Sequence, residues 1–214
     1  MPDRPDDPVI ESGLTASGLG FSRAGRPVFG GIDFALGPGE LLQVTGANGS
    51  GKTSLLRVLS GLLQPDAGEL RWQSRPVRPG EPGYLQCVAY VGHANGIDPD
   101  LGAAENLRFA MRMAGLPPDP DRVHRALAAF DMAGAQARPV RMLSQGQRRR
   151  VALARLAVAP RTLWLLDEPL AFLDKRSADA FQDRLDAHLR AGGMAVVATH
   201  EPLPIDGGFL HLDG

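Results

Sequence analysis

The sequence has little of several features that define common classes of protein. It contains one cysteine, Cys87, in 214 residues, so no disulfide can form within the chain and we expect a reducing compartment. The longest uninterrupted apolar runs are as short as Cys87–Val91 and Met194–Ala198, whereas a transmembrane helix needs about 20 apolar residues. Residues 1–12 are acidic and proline-rich without an apolar core, so we expect a flexible tail there and no secretory signal.

The chain also has no excess of charge of either sign. Lys and Arg total 23, Asp and Glu total 24, and the formal net charge is −1, which argues against a nucleic-acid partner held by bulk charge. Arginine supplies nearly all of the positive charge, because Lys52 and Lys175 are the only lysines. With 43% hydrophobic residues the chain can bury a core, and its length fits one domain, which we expect over residues 13–214.

The order of apolar patterns predicts an α/β fold. Residues 14–36 predict short strands joined by turns, one of them at Gly30-Gly31. Strands that alternate with helices form a mostly parallel sheet covered on both faces, and residues 95–155 predict a helical insertion in it. The other predicted strands cover residues 40–45, 86–91, 162–166 and 194–199, and the predicted helices cover residues 52–63, 104–114, 121–132, 147–159 and 177–189.

A glycine-rich segment follows the strand predicted at residues 40–45. Its sequence from Gly46 to Thr53 fits the phosphate-binding pattern G-x-x-x-x-G-K-[ST]. Glycines allow successive backbone N–H groups to point at phosphate oxygens, at the start of a helix whose dipole favours an anion. Lys52 is expected to reach the β- and γ-phosphates of ATP, and the Thr53 hydroxyl to bind Mg²⁺. The expected nucleotide contacts are Gly46, Ala47, Asn48, Gly49, Ser50, Gly51, Lys52, Thr53 and Ser54.

Two acids, Asp167 and Glu168, end the apolar run Leu163–Leu166. Carboxylates at the carboxyl end of a buried strand lie where ligands bind in α/β sheets. Neighbouring strand residues point to opposite faces, so we expect the two acids to have different roles. Asp167 is expected to hold Mg²⁺ through its water shell, and Glu168 to activate the attacking water as a general base.

Three further segments complete a family resemblance. The run Leu143–Gln147, then Asp174 six positions after Glu168, and His200 after the last predicted strand resemble the signature motif, D-loop aspartate and switch histidine of ATP-binding-cassette (ABC) ATPases. The resemblance covers about residues 14–205. It implies a P-loop fold with an N-terminal antiparallel β subdomain and a helical subdomain.

The resemblance also implies that two copies enclose each nucleotide. Ser144, Gly146, Gln147 and Asp174 would then serve the ATP held by the opposite copy. His200 would instead donate to the γ-phosphate beside Glu168 and help to hold the attacking water. Ser144 is equally well placed to cap a helix, and both roles can hold at once. The arginines at 148–150 favour a solvated helix face with contacts across the dimer over a nucleic-acid surface.

Two positions differ from the general ABC pattern. Alignment puts His93 where most members carry a glutamine that reaches Mg²⁺, and a neutral imidazole can still accept a hydrogen bond from a metal-bound water. Arg23 occupies the position of the usual adenine-stacking aromatic, with Phe21 close by. A guanidinium plane can also stack on a base, so either residue could contact the adenine.

Five segments together resemble the ATP-binding subunits of bacterial haem exporters in cytochrome c biogenesis. This resemblance implies a peripheral protein on the cytoplasmic face of the inner membrane. Its ATP cycle would drive integral membrane subunits that deliver haem or release a haem-loaded chaperone. The helical insertion would pass the motion to these subunits at a groove near residues 93–107. No direct haem site is evident in the sequence. The segments are Leu19–Arg23, Tyr90–His93, Leu143–Arg155, Leu163–Pro169 and Ala198–Leu203.

Two alternatives remain at this point, and a third is excluded. The same machine could move another cargo, such as a lipid, a drug or a lipoprotein. The chain could be a nucleotide-gated switch that binds ATP without hydrolysing it, although Glu168 and His200 both favour hydrolysis. A DNA-repair ABC protein would need a long coiled coil between the P-loop and the signature, and Lys52 and Ser144 are too close in sequence for one.

Overall fold

The computed structural model describes residues 13–213. Two sheets and six α-helices make up most of this part of the chain. The strands are β1 (Leu14–Arg23), β2 (Arg26–Leu36), β3 (Leu41–Gly46), β4 (Ala67–Trp72), β5 (Arg75–Pro76), β6 (Val88–Val91), β7 (Leu163–Asp167), β8 (Met194–Ala198) and β9 (Gly208–Leu212). The helices are α1 (Lys52–Leu59), α2 (Pro82–Leu85), α3 (Ala103–Met113), α4 (Pro120–Ala128), α5 (Gln145–Val158) and α6 (Lys175–Arg190).

The larger sheet is parallel throughout and has the strand order β6-β7-β8-β3-β9. Its register pairs Val44 of β3 and Asp167 of β7 with the same residue, Ala198 of β8. The carboxyl ends of these strands therefore meet at one edge, where an α/β sheet binds its ligands. The predicted α/β class with a mostly parallel sheet is confirmed.

The smaller sheet is antiparallel, in the order β2-β1-β4-β5, as the family resemblance implied. The predicted turn at Gly30-Gly31 was wrong, because β1 and β2 are joined at Ala24-Gly25. Gly30 and Gly31 lie inside β2, where the pairing with β1 changes register between Leu19 and Phe21. Gly31 has a φ of 66°, so the glycines accommodate a β-bulge rather than a reversal of the chain.

The parallel sheet separates two hydrophobic cores, and β7 contributes to both. Leu163 and Leu165 pack with α1 and the antiparallel sheet, whereas Trp164 and Leu166 pack with the helices on the other face. Every residue of β7 is buried, which is the pattern of a strand covered on both sides. The position of the two acids that follow Leu166 therefore depends on the packing of both cores.

The helices α3, α4 and α5 pack against one another around a common apolar centre. Leu107, Leu127 and Val151 contribute one residue from each helix, and none of the three is exposed to solvent. The three helices predicted in this part of the chain are present, with ends shifted by a few residues. In the part of the chain that the structure describes, no helix combines the length and the apolar character that crossing a bilayer requires.

Other predicted bounds were wrong in instructive ways. The helix predicted over residues 52–63 ends at Leu59, because Ser60 caps it and Gly61 follows with a φ of 71°, the conformation that typically ends a helix. The strands β4, β5 and β9 and the short helix α2 were not predicted from the sequence. The prediction of a flexible tail concerns residues 1–12, which lie outside the described residues.

Candidate nucleotide site

The glycine-rich loop connects β3 to α1 at the carboxyl edge of the parallel sheet. Gly46 has a φ of 144°, and a Cβ there would lie 2.5 Å from the Leu212 carbonyl oxygen. Gly51 has a φ of 99°, and its Cβ would lie 2.7 Å from Cγ1 of Val28. Both positions therefore require glycine for backbone conformation and for space, as expected of a loop that curls around an anion.

Lys52 is folded over this loop. Its Nζ donates to the carbonyl oxygens of Gly46 at 2.7 Å and Ala47 at 2.9 Å, and the residue is only 7% exposed. The ammonium group is thus held at the mouth of the loop, beside the N-terminus of α1. The local charge and the helix dipole both favour a phosphate at this position.

The loop also reaches the first of the two acids. The Oγ1 of Thr53 donates to Oδ2 of Asp167 at 2.8 Å, which joins the first turn of α1 to the end of β7. Asp167 is buried, with 2% of its surface exposed. A hydroxyl and a carboxylate are brought together here, and both are oxygen ligands of the kind that Mg²⁺ prefers.

Glu168 differs from Asp167 in its backbone and in its surroundings. Its φ is 49°, a left-handed conformation that costs a non-glycine residue about 1–3 kcal/mol. Its Oε1 is buried and accepts no hydrogen bond from any residue between 13 and 213. Nε2 of His200 lies 3.2 Å from Oε1 without the alignment of a hydrogen bond, so the carboxylate oxygen retains its acceptor capacity inside the site.

A cavity of about 470 Å³ joins these groups. Arg23 and His93 line it, as predicted, whereas Phe21 is partly buried and packs on Phe29 with ring centroids 6.0 Å apart. Of the two residues considered for the adenine, the structure thus brings only Arg23 to the cavity; Val28 lines it as well and was not predicted. The lining residues are Arg23, Val28, Asn48, Gly49, Gly51, Lys52, Thr53, Ser54, His93, Asp167, Glu168 and His200.

The signature residues do not line this cavity. Ser144 caps α5, and its Oγ accepts from the backbone N–H of Gln147 at 3.2 Å while Oε1 of Gln147 accepts from the N–H of Ser144 at 3.0 Å. Gly146 packs so closely on the next loop that a Cβ would lie 2.5 Å from the Phe172 carbonyl oxygen. The sequence expectation that Ser144 caps a helix is therefore met by this reciprocal capping box.

Asp174 has a corresponding place at the start of α6. Its Oδ1 accepts from the N–H of Ser177 at 2.8 Å, and hydrogen bonds from Ser177 lower the pKa of the Asp174 carboxyl. Phe172, two residues earlier, has a φ of 64° and is 65% exposed. The signature and this loop form one surface, which is separate from the P-loop cavity on the same chain.

The expectation of a solvated arginine face at residues 148–150 was wrong for Arg149. This residue is 2% exposed, and its guanidinium donates to groups of the loop after β6 and of the segment after β7. Sequence reasoning missed it because an arginine beside two other arginines usually indicates solvent exposure. Its carbonyl partners become visible only in the tertiary structure.

A second cavity, of about 550 Å³, lies between α5 and α6 beside Trp164 and His188. It is larger than the P-loop cavity but contains none of the predicted site residues. The chemistry of the acids, the lysine and the glycine loop therefore identifies the smaller cavity as the functional site.

The fold and this site define an ATP-binding subunit of the ABC class. Residues 29–171 match the ABC transporter family. The structure is also similar to a solved ATP-binding subunit of an ABC transporter, with a TM-score of 0.80 at 22% sequence identity, covering 88% of this chain and 80% of that one. At this identity the likeness concerns the fold alone.

Curated relatives refine the assignment. A cytochrome c biogenesis ATP-binding export protein of Cupriavidus necator is 69% identical over 89% of this chain and 84% of its own length. A relative of the same description from Cupriavidus pinatubonensis is 60% identical over 94% of this chain and 89% of its own length. The chain therefore belongs to the ABC transporter family, in the branch of the cytochrome c biogenesis ATP-binding export proteins, and is an ATPase.

Proposed function

We propose that this chain is the ATP-hydrolysing subunit of a transporter that exports haem, or releases a haem-loaded chaperone, during cytochrome c biogenesis. The support for the process is the description shared by relatives with 69% and 60% identity. The support for hydrolysis is the geometry of the P-loop cavity. Haem itself is assigned to the membrane subunits or the chaperone, and no direct haem site is assigned to this chain.

ATP binds along residues 46–54 in this proposal. The loop N–H groups and the N-terminus of α1 hold the phosphates, and Lys52 exchanges its loop carbonyls for β- and γ-phosphate oxygens. Arg23 stacks its planar guanidinium on the base. Its place on the wall of the cavity, which Phe21 does not line, supports this assignment over Phe21.

The residues at the end of the cavity fit a magnesium ion. The oxygens of Thr53 and Asp167 that lie 2.8 Å apart supply the donor type that this ion requires. Thr53 would hold it directly, Asp167 would hold it through its water shell, and His93 would accept a hydrogen bond from a metal-bound water. When bound, the ion neutralises charge on the β- and γ-phosphates.

Glu168 is the proposed general base. Its buried Oε1, which lacks a hydrogen-bond partner within residues 13–213, is the single observation that carries the hydrolytic proposal. This oxygen takes a proton from water as the water oxygen bonds to the γ-phosphorus and the bond to the ADP oxygen breaks. His200, at 3.2 Å from the carboxylate, donates to the γ-phosphate and keeps the two groups in place.

A second copy completes the site. Ser144, Gly146 and Gln147 lie outside the P-loop cavity of their own chain, and the N-terminus of α5 is suited to bind a phosphate. They contact the γ-phosphate held by the other copy, with Asp174 beside them. ATP then favours the closed dimer because it contacts both chains, and hydrolysis opens it.

The membrane subunits are the proposed partners of a groove between β6 and α3, which lies beside residues 93–107, where the sequence analysis placed it, and not within them. This cavity of about 150 Å³ is lined by Phe109 and Met113, which are 50% and 70% exposed. The chain works as one ABC ATPase domain over residues 13–214, whose helical subdomain at 95–155 carries the motion to this groove. It is held at the cytoplasmic face of the inner membrane by these partners.

Deletion of the gene in the source organism tests the cargo. The expected result is loss of all c-type cytochromes with b-type cytochromes intact, measured by haem staining and difference spectra, and recovery with a plasmid copy. Unchanged c-type cytochromes would indicate another cargo. Recovery with a Glu168→Gln copy that does not hydrolyse ATP would favour the non-hydrolysing switch.

A further inference from the structure

Arg149 of α5 connects two segments of the nucleotide site through a single guanidinium. Its Nε donates to the Pro169 carbonyl oxygen at 3.3 Å, and its Nη2 donates to the carbonyl oxygens of Asp167 and, at 2.8 Å, Glu168. Its Nη1 donates to the Gly92 carbonyl oxygen at 3.0 Å and to Oδ1 of Asn95 at 2.8 Å. An arginine side chain has five N–H donors, and these contacts match all of them.

Three successive carbonyl oxygens, from residues 167 to 169, accept hydrogen bonds from this one group. In an extended strand successive backbone groups alternate in direction, so such convergence requires a break in the strand. The left-handed backbone of Glu168, with a φ of 49°, supplies that break. Arg149 therefore stabilises the unusual conformation that places the Glu168 carboxylate in the cavity.

The charge of Arg149 is matched to this environment. Burial lowers the pKa of the guanidinium, and the nearby Asp167 and Glu168 carboxylates oppose part of that shift. A buried cation retains its charge at low cost only where acceptors surround it. The fork geometry of arginine satisfies acceptors on two segments at once, which a lysine ammonium cannot reproduce.

The other segment is the loop that carries His93. Besides the contacts to Gly92 and Asn95, the same helix reaches the loop through Arg155, whose Nη1 donates to the carbonyl oxygens of Asn95 at 3.3 Å and Gly96 at 2.7 Å. Two arginines of α5 thus hold the loop. Both arginines belong to α5, so this one helix contacts the loop at two points along its length.

We propose that Arg149 is a positioning residue that fixes the Glu168 carboxylate relative to the loop at residues 92–96. This inference rests on the proposed role of Glu168 as the general base. A misplacement of about 1 Å can cost a catalytic group on the order of 100-fold in rate. Arg149 acts on the chemical step, and among residues 13–213 its hydrogen bonds go to residues 92, 95 and 167–169 and not to the loop proposed to hold the phosphates.

The first test is Arg149→Lys, which keeps the charge and loses the fork. We expect kcat for ATP hydrolysis to fall by about 10- to 100-fold with KM for ATP within about twofold of the original protein. Arg122→Lys is the matched control, because Arg122 also places a fork on a backbone carbonyl, that of Ala157, away from the site. Its kcat should remain unchanged. An unchanged kcat in Arg149→Lys would overturn the inference.

A double variant separates positioning from a general structural role. In the Glu168→Gln background, Arg149→Lys should cause no further loss in single-turnover hydrolysis, because it acts through a group already removed. An equal fold-loss in both backgrounds would overturn the inference and leave the role of Glu168 intact. Near-normal turnover of Glu168→Gln alone would overturn the proposed general base, and the inference with it.

Asn95→Gly provides the test if Arg149→Lys fails to fold. Asn95 has a φ of 61°, which glycine adopts easily, so this change removes one acceptor of Arg149 with little effect on the backbone. We expect kcat to fall about three- to tenfold, and the fall should vanish in the Glu168→Gln background. Unchanged turnover in Asn95→Gly would overturn the link to the loop.

Discussion

The P-loop region and the signature region both carry easily recognised sequence motifs, but they differ in whether their polar groups have hydrogen-bond partners. In the P-loop region, the Oγ of Ser50 and the Oε1 of Glu168 are buried without a hydrogen-bond partner among residues 13–213. In the signature region, Ser144 and Gln147 satisfy each other, and Asp174 accepts from the start of α6.

The difference shows what each region can do alone. A buried polar group without a partner costs about 1–3 kcal/mol, and such groups persist where a ligand supplies the missing contact. The P-loop cavity is therefore built for a ligand on one chain. The signature region is already a satisfied helix end. In the proposed dimer it would contact the nucleotide through the surface that it presents to the second copy.

Glu168→Gln gives the largest expected effect and tests the P-loop side of the comparison. We expect kcat to fall by about 100- to 10,000-fold, because the amide cannot take a proton from water. Nucleotide binding should remain, and ATP should accumulate in the closed dimer. Phosphate release and equilibrium binding measure the two effects. Glu201→Gln, an exposed carboxylate that does not line the cavity, is the control, and near-normal turnover in Glu168→Gln would contradict the assignment.

Ser144→Asp sharpens the signature side, because aspartate caps a helix as well as serine does but adds a negative charge. We expect the melting temperature to stay close to that of the original protein. ATP-dependent dimer formation should weaken by about tenfold or more, because in the proposed dimer the carboxylate would face a γ-phosphate held by the other copy. Light scattering with the Glu168→Gln protein and ATP measures it.

The control for Ser144→Asp is Asp119→Ser, which exchanges the same two capping residues in the opposite direction at the start of α4. Asp119 accepts there from the N–H groups of Asp121 and Arg122. The Asp119→Ser change should leave dimer formation unchanged. Strong ATP-dependent dimers of Ser144→Asp would show that Ser144 only caps α5.

The smallest effect concerns pH and belongs to neither region. His188 stacks on Trp164 with ring centroids 3.9 Å apart, and burial lowers its pKa below 6.5. As pH falls below about 6.5 the unfolded chain takes up the proton first, so stability present at higher pH is lost until pH passes the folded pKa. Urea midpoints at about pH 7.5 and pH 5.5 should differ less in His188→Phe than in the original protein. Equal differences would exclude this histidine as the cause.

The parts of the fold and of the site that could be predicted are those whose pattern lies within one short stretch of the sequence. The glycine loop is one short segment of the sequence, and the acids at residues 167 and 168 are another, so each could be recognised locally. Their place at strand ends follows from the parallel sheet. The helices α3 to α6 each carry an apolar stripe, and the spacing of its residues can be recognised within the segment of sequence that forms the helix. Their existence was predicted, and their ends moved by a few residues because caps such as Ser144 begin them.

What was missed depends on partners distant in sequence. The strand β9, Gly208–Leu212, is half exposed and is defined by its pairing with β3, and the bulge at Gly30-Gly31 is defined by its register with β1. Arg149 is buried only because carbonyls from two other segments surround it. None of these features has a periodic signature within its own segment.

The folded-back pose of Lys52 has a kinetic consequence. Its long side chain is already confined by the Gly46 and Ala47 carbonyls, so most of the rotamer entropy of about 2 kcal/mol that a lysine can lose is spent before any nucleotide arrives. When a nucleotide binds, Lys52 exchanges these carbonyl acceptors for phosphate oxygens, and little else has to become ordered. This exchange favours rapid binding and rapid release of the nucleotide.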